Sequence, residues 1–454
     1  MAERVFITGG AAFTPLVGVP QVPLGQSMEQ NWQATLAGIC GLEEIPPYSN
    51  RSDVHYAGLL AGFSIDNFIS DRKVRERNGR ASHLAYAAAK DAIANARLNR
   101  AETYSQALGR GVIVGSGIAN FLEIFREYEF FKEKGRVGSD TATKVEPEQA
   151  ANLISQLEFM MGDSLTLSTA CASGATAFRK AFENIRNGYA DVMIAVGVDC
   201  LVYRQVDGSI YHPIALACYD APRALARGFV ESPAKISTPF DTNRRGFVIS
   251  EAAGAAILES ESHAKARGAE IIAEVKGAAG VNGAKNATNP SIQGQVLTME
   301  RACLMAGITP DQLIHGNPHG TGTEVGDPVE LLSIILVKRG RLDGFYLTGT
   351  KAMTGHGVGG TGLKEILDAA LATRDGVVPP QPNLERVLTI PDAVIAQIPE
   401  DILARCGQPN LRYQEYPLFY REAQRGLSIP YAFSNSFGFG DNNETVVLGS
   451  STLL

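Results

Sequence analysis

An α/β fold with largely buried sheets, laid out as two halves, is the architecture this chain predicts. Three observations predict it. Short apolar runs of strand length alternate with longer segments of helical spacing. Those runs fall into two series of similar extent, and a chain of 454 residues with 45% hydrophobic content has material for a large two-part core. The first series reads Val5–Thr8, Gly111–Ser116, Ser164–Ala170, Asp191–Val198 and Gly254–Leu258. The second reads Ile271–Val275, Tyr346–Gly349, Tyr431–Ser434 and Glu444–Leu448. Helical spacing is clearest over Ser82–Ala96, Gly174–Asn187, Gln293–Ala306 and Val329–Lys338. The halves are expected to join near residues 260–270, giving units of 1–262 and 263–454. No residue-by-residue repetition is visible between them, so the duplication rests on layout. Residues 385–428, with Pro391, Pro399, Pro409 and Pro417 among mixed charges, read as a long excursion before the last core strands.

Composition excludes several classes. A net charge of −7 argues against nonspecific nucleic-acid binding, which favours a basic balance. Residues 5–28 carry no charge, but Pro15, Pro20, Gln21, Pro23 and Gln26 interrupt them and no basic segment leads into an apolar core. That stretch is expected to be a first buried strand and a loop, not a membrane or signal segment. The six cysteines (Cys40, Cys171, Cys200, Cys218, Cys303 and Cys406) are scattered, without CxxC or metal-ligand spacing. A reducing, cytoplasmic setting without disulfides or a metal site is expected.

One cysteine stands out. In SLTLSTACASGATAFRKAFENI, Cys171 ends an apolar strand and opens a helix whose apolar face carries Ala177, Phe178, Ala181, Phe182 and Ile185. A thiol at that junction faces the positive end of a helix dipole and unpaired N–H groups, which favour the thiolate. Ala172, Ser173 and Gly174 keep the turn open to a substrate. On this segment alone, a small buried hydrophobe is an equally good reading.

Three glycine-rich loops bear on that choice. Asn317-Pro318-His319-Gly320-Thr321-Gly322-Thr323 places a histidine among hydroxyl groups, with Asp327 and Glu330 following. Gly349-Thr350-Lys351-Ala352-Met353-Thr354-Gly355-His356-Gly357 sets Lys351 and His356 just beyond a short apolar run. Asn435-Ser436-Phe437-Gly438-Phe439-Gly440 combines bulky side chains with a backbone whose N–H groups can point inward. Each loop alone is compatible with local bracing; four such segments in one chain are harder to explain that way.

Together, Cys171 in TACASG, His319 in HGTGT, Lys351 and His356 in GTKxxxGH, and the late NSFGFG resemble a β-ketoacyl-acyl carrier protein synthase of the Cys-His-His type. The motifs span about residues 160–445 in the family's order. The resemblance implies a thiolase-like fold: two pseudo-duplicated halves in alternating α and β layers, as a homodimer or a heterodimer with a related subunit. It implies decarboxylative condensation of a malonyl thioester with an acyl group carried on Cys171, in fatty-acid or specialised polyketide or polyene synthesis. Substrates would arrive on the phosphopantetheine of an acyl carrier protein, with no separate cofactor.

By the same resemblance, His319 and His356 would donate hydrogen bonds to the developing enolate. The backbone N–H groups of Cys171 and Phe439 would form the second oxyanion site, with Phe439 as a gate. Such donors are worth about 3–4 kcal/mol each. Lys351 would act electrostatically beside His356, Thr321 and Thr323 would hold the pantetheine arm, and Glu330 would hold the His and Lys loops in place. An acidic carrier needs a basic docking face. Arg72, Lys73, Arg75, Arg77 and Arg80, in a stretch of balance +3, lie roughly where the family has one.

Some positions depart from the family form. Arg245 stands where an acid is usual and Ser250 where a glycine is usual; Asp441-Asn442-Asn443 replaces Gly-Thr-Asn after FGFG. A degradative thiolase would need a second catalytic cysteine, and Cys406 in ARCGQPN does not resemble one. A chain-length-factor-like partner would lack the nucleophile, which is present here.

Overall fold

The computed structural model describes residues 3–16, 23–60, 62–205, 209–211, 213–285 and 288–451. Pro20 and Gln21 of the uncharged N-terminal stretch lie outside the described residues. Ten strands form the main sheet: β1 (Val5–Phe13), β2 (Arg110–Gly115), β3 (Ser164–Leu167), β4 (Val192–Asp199), β5 (Ala252–Ser260), β6 (Ala273–Asn282), β7 (His315–Asn317), β8 (Tyr346–Leu347), β9 (Tyr431–Gly438) and β10 (Asn442–Ser450).

Their spatial order is β8-β7-β9-β10-β6-β1-β5-β4-β2-β3. Read outward from the central antiparallel pair β1–β6, the two halves repeat one pattern. β1-β5-β4 pair antiparallel and β4-β2-β3 parallel. In the other half, β6-β10-β9 pair antiparallel and β9-β7-β8 parallel. The duplication that no residue-level repeat revealed is thus explicit in strand order and sense.

Both faces of the sheet are covered, which is why its strands read as continuous apolar runs. Along β4, Val192, Ile194, Val196 and Val198 enter one core with helices α1 (Arg80–Asn95) and α2 (Gln149–Glu158). Met193 and Ala195 enter a middle core with α3 (Ser173–Arg186) and α6 (Gly359–Asp375). On the far half, Val446 and Leu448 of β10 also face that middle core. Val447 faces a third core, built with α4 (Ile292–Ala306) and α5 (Gly326–Val337). The result is five alternating layers, with α3 and α6 between the two half-sheets.

Small residues make the middle layer possible. A Cβ on Gly174 of α3 would stand 2.3 Å from the Gly359 carbonyl at the start of α6. The glycines that allow this approach also hide α6 from propensity reasoning, since GGTG does not read as a helix start.

Other boundaries differ from expectation. β3 stops at Leu167, short of Ala170, while β9 runs on through Asn435–Gly438, which read as loop. The excursion at 385–428 buries Leu388, Ile390, Ile402, Tyr413 and Leu418 in the third core, so it roofs the outer face of α5. Among the described residues, no helix is long and apolar enough to cross a membrane.

Candidate active site

Cys171 lies in the turn between β3 and α3 and is 6% exposed. The turn is tight: Ala170 is forced to φ +52°, and the Ser173 hydroxyl accepts from Thr169 N–H at 2.9 Å. The end of β9 crosses directly above. A Cβ on Gly438 would lie 2.4 Å from the Thr169 carbonyl and 3.1 Å from the Cys171 nitrogen, so only glycine lets the strand pass. That crossing delivers the Phe439 N–H to the thiol.

The expected thiolate is not what this environment favours. Burial pushes the Cys171 thiol up to about 12, and the Asp199 carboxylate adds to the rise. Lys351 and the N–H groups of Phe439 and Cys171 pull the other way without cancelling it. The dipole argument identified real donors but left out the larger desolvation cost.

His319 follows β7, and His356 follows a single helical turn, Lys351–Thr354. Their rings stand 5.3 Å apart at 85°, and the Phe247 ring packs edge-on against His356 at 5.1 Å. Nδ1 of His319 and both ring nitrogens of His356 are buried without a hydrogen-bond partner among the described residues. Burial, reinforced by the charge of Lys351, holds both imidazoles well below their ordinary 6.5. Neutral rings with unengaged nitrogens can serve as donors to a ligand.

Buried carboxylates set these loops. Glu330 accepts the N–H groups of His319 and Gly320 at 2.7 and 2.8 Å and the Asn435 amide at 3.2 Å. Burial nonetheless raises it to about 7. Its reach is the histidine loop and β9, not the lysine loop as expected. The lysine loop is held by Glu365 of α6, which takes Lys351 Nζ at 2.7 and 2.8 Å while Nζ also donates to the His319 carbonyl. Thr321 and Thr323 hydroxyls are 3.2 Å apart, and Thr323 also accepts the Gly326 N–H.

Asp199 is the other residue that sequence reasoning missed. It accepts from the Ser116 hydroxyl at 2.6 Å and from the N–H groups of Gly117, Ile118 and Gly359 at 2.8, 3.2 and 2.6 Å. One side chain therefore ties the ends of β2 and β4 to the start of α6. The available signal was an acid placed immediately after the apolar run that ends at Val198. Glu365 gave no comparable signal, because its helix was not legible.

A cavity of about 560 Å³ is lined by Cys171, His319, His356, Thr321, Thr323 and Phe439. Glu330 also borders it, whereas Lys351 acts from behind its wall. Arg223, Arg227 and Arg245 lie on the same lining.

The expected docking stretch is only partly available. Arg80 is spent on the fully buried Glu251, at 2.7 and 3.2 Å, beneath the Tyr203 ring. Arg75 pairs with Asp66 at 2.7 Å and donates to the carbonyls of Ile69 and Ser70. Arg72 pairs with Glu76 at 2.6 Å, and Lys73 and Arg77 remain exposed. None of the five lines the cavity. Of the departures from the family form, Ser250 keeps a buried hydroxyl with no partner among the described residues. Asp441 accepts from Ser291 N–H and the Asn443 amide at 3.3 and 3.0 Å, and Asn442 donates to the Phe439 carbonyl at 3.0 Å. Both therefore brace the turn after Phe439. Cys406 is packed in the third core, away from the cavity.

The duplicated α/β halves, meeting where a turn cysteine faces two histidines, define a condensing enzyme of the thiolase-like class. Residues 2–264 match the N-terminal domain of β-ketoacyl synthases and residues 272–385 the C-terminal domain. The chain belongs to the β-ketoacyl synthase family. It is 31% identical over 454 residues to 3-oxoacyl-[acyl-carrier-protein] synthase 2 of Vibrio cholerae serotype O1, covering 98% of each chain. The enzyme of the same name from Staphylococcus aureus strain COL is 32% identical over 455 residues, again covering 98% of each. A crystal structure of a β-ketoacyl synthase from Burkholderia phymatum STM815 superposes with a TM-score of 0.80 at 26% identity, covering 99% of both chains. The ishigamide ketosynthase/chain length factor shares the fold at a TM-score of 0.79 and 23% identity, covering 99% of this chain and 100% of that one.

Proposed function

We propose that this chain condenses malonyl and acyl thioesters presented by an acyl carrier protein, with loss of carbon dioxide. The observation that carries the reading is a single cavity onto which Cys171, His319, His356 and the Phe439 turn converge. Cys171 attacks the acyl thioester, and its proton leaves with the departing pantetheine thiol, which suits a thiol that rests neutral. Malonyl thioester then enters. As carbon dioxide leaves, the enolate oxygen takes hydrogen bonds from neutral His319 and His356. The enolate carbon attacks the acyl-Cys171 carbonyl, whose oxyanion sits against the N–H groups of Cys171 and Phe439. Collapse releases the β-ketoacyl product and expels the Cys171 sulfur as a thiolate, which takes a proton from solvent to restore the resting thiol.

Lys351, with Glu365, and Glu330 act as positioning residues, and Thr321 and Thr323 border the arm's path. The reading needs no separate cofactor. The first half, 1–262, supplies the nucleophile; the second, 263–454, supplies the donors and the gate. A dimer through β3 fits the structure: among the described residues that edge strand has a neighbour on one side only, and Leu165 is 51% exposed. Carrier docking falls to the exposed Arg223 at the cavity rim together with Lys73 and Arg77, and not to Arg75 or Arg80.

The test is direct. Incubation with an acyl carrier-protein thioester should acylate Cys171, as located by mass spectrometry; no adduct there overturns the reading. Malonyl-dependent carbon dioxide release that survives His319→Ala and His356→Ala together overturns the roles given to the histidines.

A further inference from the structure

Arg245 lines the cavity, is exposed, and has no carboxylate partner among the described residues. Its neighbours are committed. Arg227 is locked to the Asp220 carboxylate at 3.0 and 2.7 Å. Arg244 spends its guanidinium on the carbonyls of Thr323, Glu324 and Asp241 at 2.9, 2.8 and 3.1 Å. Arg245 instead passes over Gly228, where a Cβ would stand 3.5 Å from Nη1.

The backbone around it is stitched to the substrate path. Gly246 N–H donates to the Gly322 carbonyl at 2.8 Å, which sets Arg244–Phe247 alongside Thr321–Thr323. Phe247 then packs on His356. From the histidines outward, the order is therefore Phe247, the threonine pair beside Gly246, and Arg245 in solvent. An extended arm with its thioester at the histidines and its amides beside the threonines emerges at Arg245. The only formal charge on such an arm is the phosphate at the end away from sulfur, and a guanidinium fork matches phosphate oxygens. Glu324 is the exposed acid on this rim, and Arg223 the other exposed arginine.

We propose that Arg245 binds the phosphate of the phosphopantetheine arm and makes the synthase selective for thioesters that carry it. This rests on the condensing reading above. The test compares one acyl group on three donors: pantetheine, 4′-phosphopantetheine and the carrier protein. Arg245→Ala should raise KM about fivefold for both phosphorylated donors, leaving kcat and the pantetheine KM unchanged. Arg245→Lys should recover part of the loss, and Arg223→Ala should not reproduce the pattern.

An equal rise for all three donors makes Arg245 a tunnel-shaping residue and overturns the proposal. So does an effect confined to the carrier protein, which marks a protein–protein contact, and so does no effect at all. A wild-type enzyme that condenses none of the donors overturns the condensing reading and the proposal with it. Wild-type turnover with phosphate-independent variants overturns the proposal alone.

Discussion

Cys171 and the Lys351–His356 segment occupy matching places in the two halves. The first follows β3 and precedes α3; the second follows β8 and precedes α6. Both turns force a non-glycine residue to positive φ near the helix start, Ala170 at +52° and Val358 at +46°. Such strain is held where surrounding packing over-determines it. The shared path serves different electrical ends. The cysteine turn is built by steric closeness, and burial keeps its thiol neutral. The lysine–histidine turn is built around the fully buried Lys351–Glu365 pair, which places a fixed positive charge behind two uncharged rings. One duplicated frame thus presents the proposed nucleophile on one side and the proposed charge-tuned donors on the other. Both stand beyond the carboxyl ends of parallel strands, where open α/β sheets place their ligands.

Variants can break this division of labour. Cys171→Ala should abolish the acyl adduct and lower turnover by about ten-thousand-fold or more, measured as β-ketoacyl product. Next in size, His319→Ala or His356→Ala should slow malonyl decarboxylation by about a hundred- to a thousand-fold while acylation of Cys171 proceeds. If acylation falls equally, the two turns do not act separately.

Lys351→Ala tests the frame itself. It strands Glu365 in the core and should cost about 3–5 kcal/mol in urea unfolding, with the Lys351→Met, Glu365→Leu pair costing less. A loss below about 1 kcal/mol would place the pair among the weak surface bridges.

The smallest effects sharpen the electrostatic contrast. Iodoacetamide alkylation of Cys171 should climb about tenfold per pH unit from about pH 7 to 9 without levelling, since the thiol titrates near 12. A plateau below pH 9 would show a thiolate already formed. Both histidines are held below 6.5 when folded, so the unfolded chain binds more protons under that pH. Acid should therefore erode stability as pH falls through 6.5, and the acidic limb of decarboxylation should lie lower still.

Much of the site was legible because its residues cluster in short glycine-rich runs. Cys171, His319, Lys351, His356 and Phe439 each sit beside glycines or small residues that only a tight turn or a close approach explains. The residues that went unread lie in ordinary surroundings. Glu365 lies in a segment that does not read as a helix, and Asp199 looks like any polar strand end. Their meaning comes from partners far along the chain, Ser116 and Gly359 for Asp199. The docking stretch is only partly available for a related reason: charge counts do not say which guanidinium has a buried carboxylate waiting. Arg80 finds Glu251, 171 residues away.

By itself, the sequence determined the α/β class, the two-series layout and the candidate reacting groups, because alternation, periodicity and turn chemistry are local properties. Only the tertiary structure decided the protonation of those groups. The thiol is neutral instead of ionised, and the imidazoles are depressed by burial, reinforced by a lysine that never touches the cavity. Burial and the distances between charges from different strands set those states, and both quantities exist only once the two halves have closed on each other.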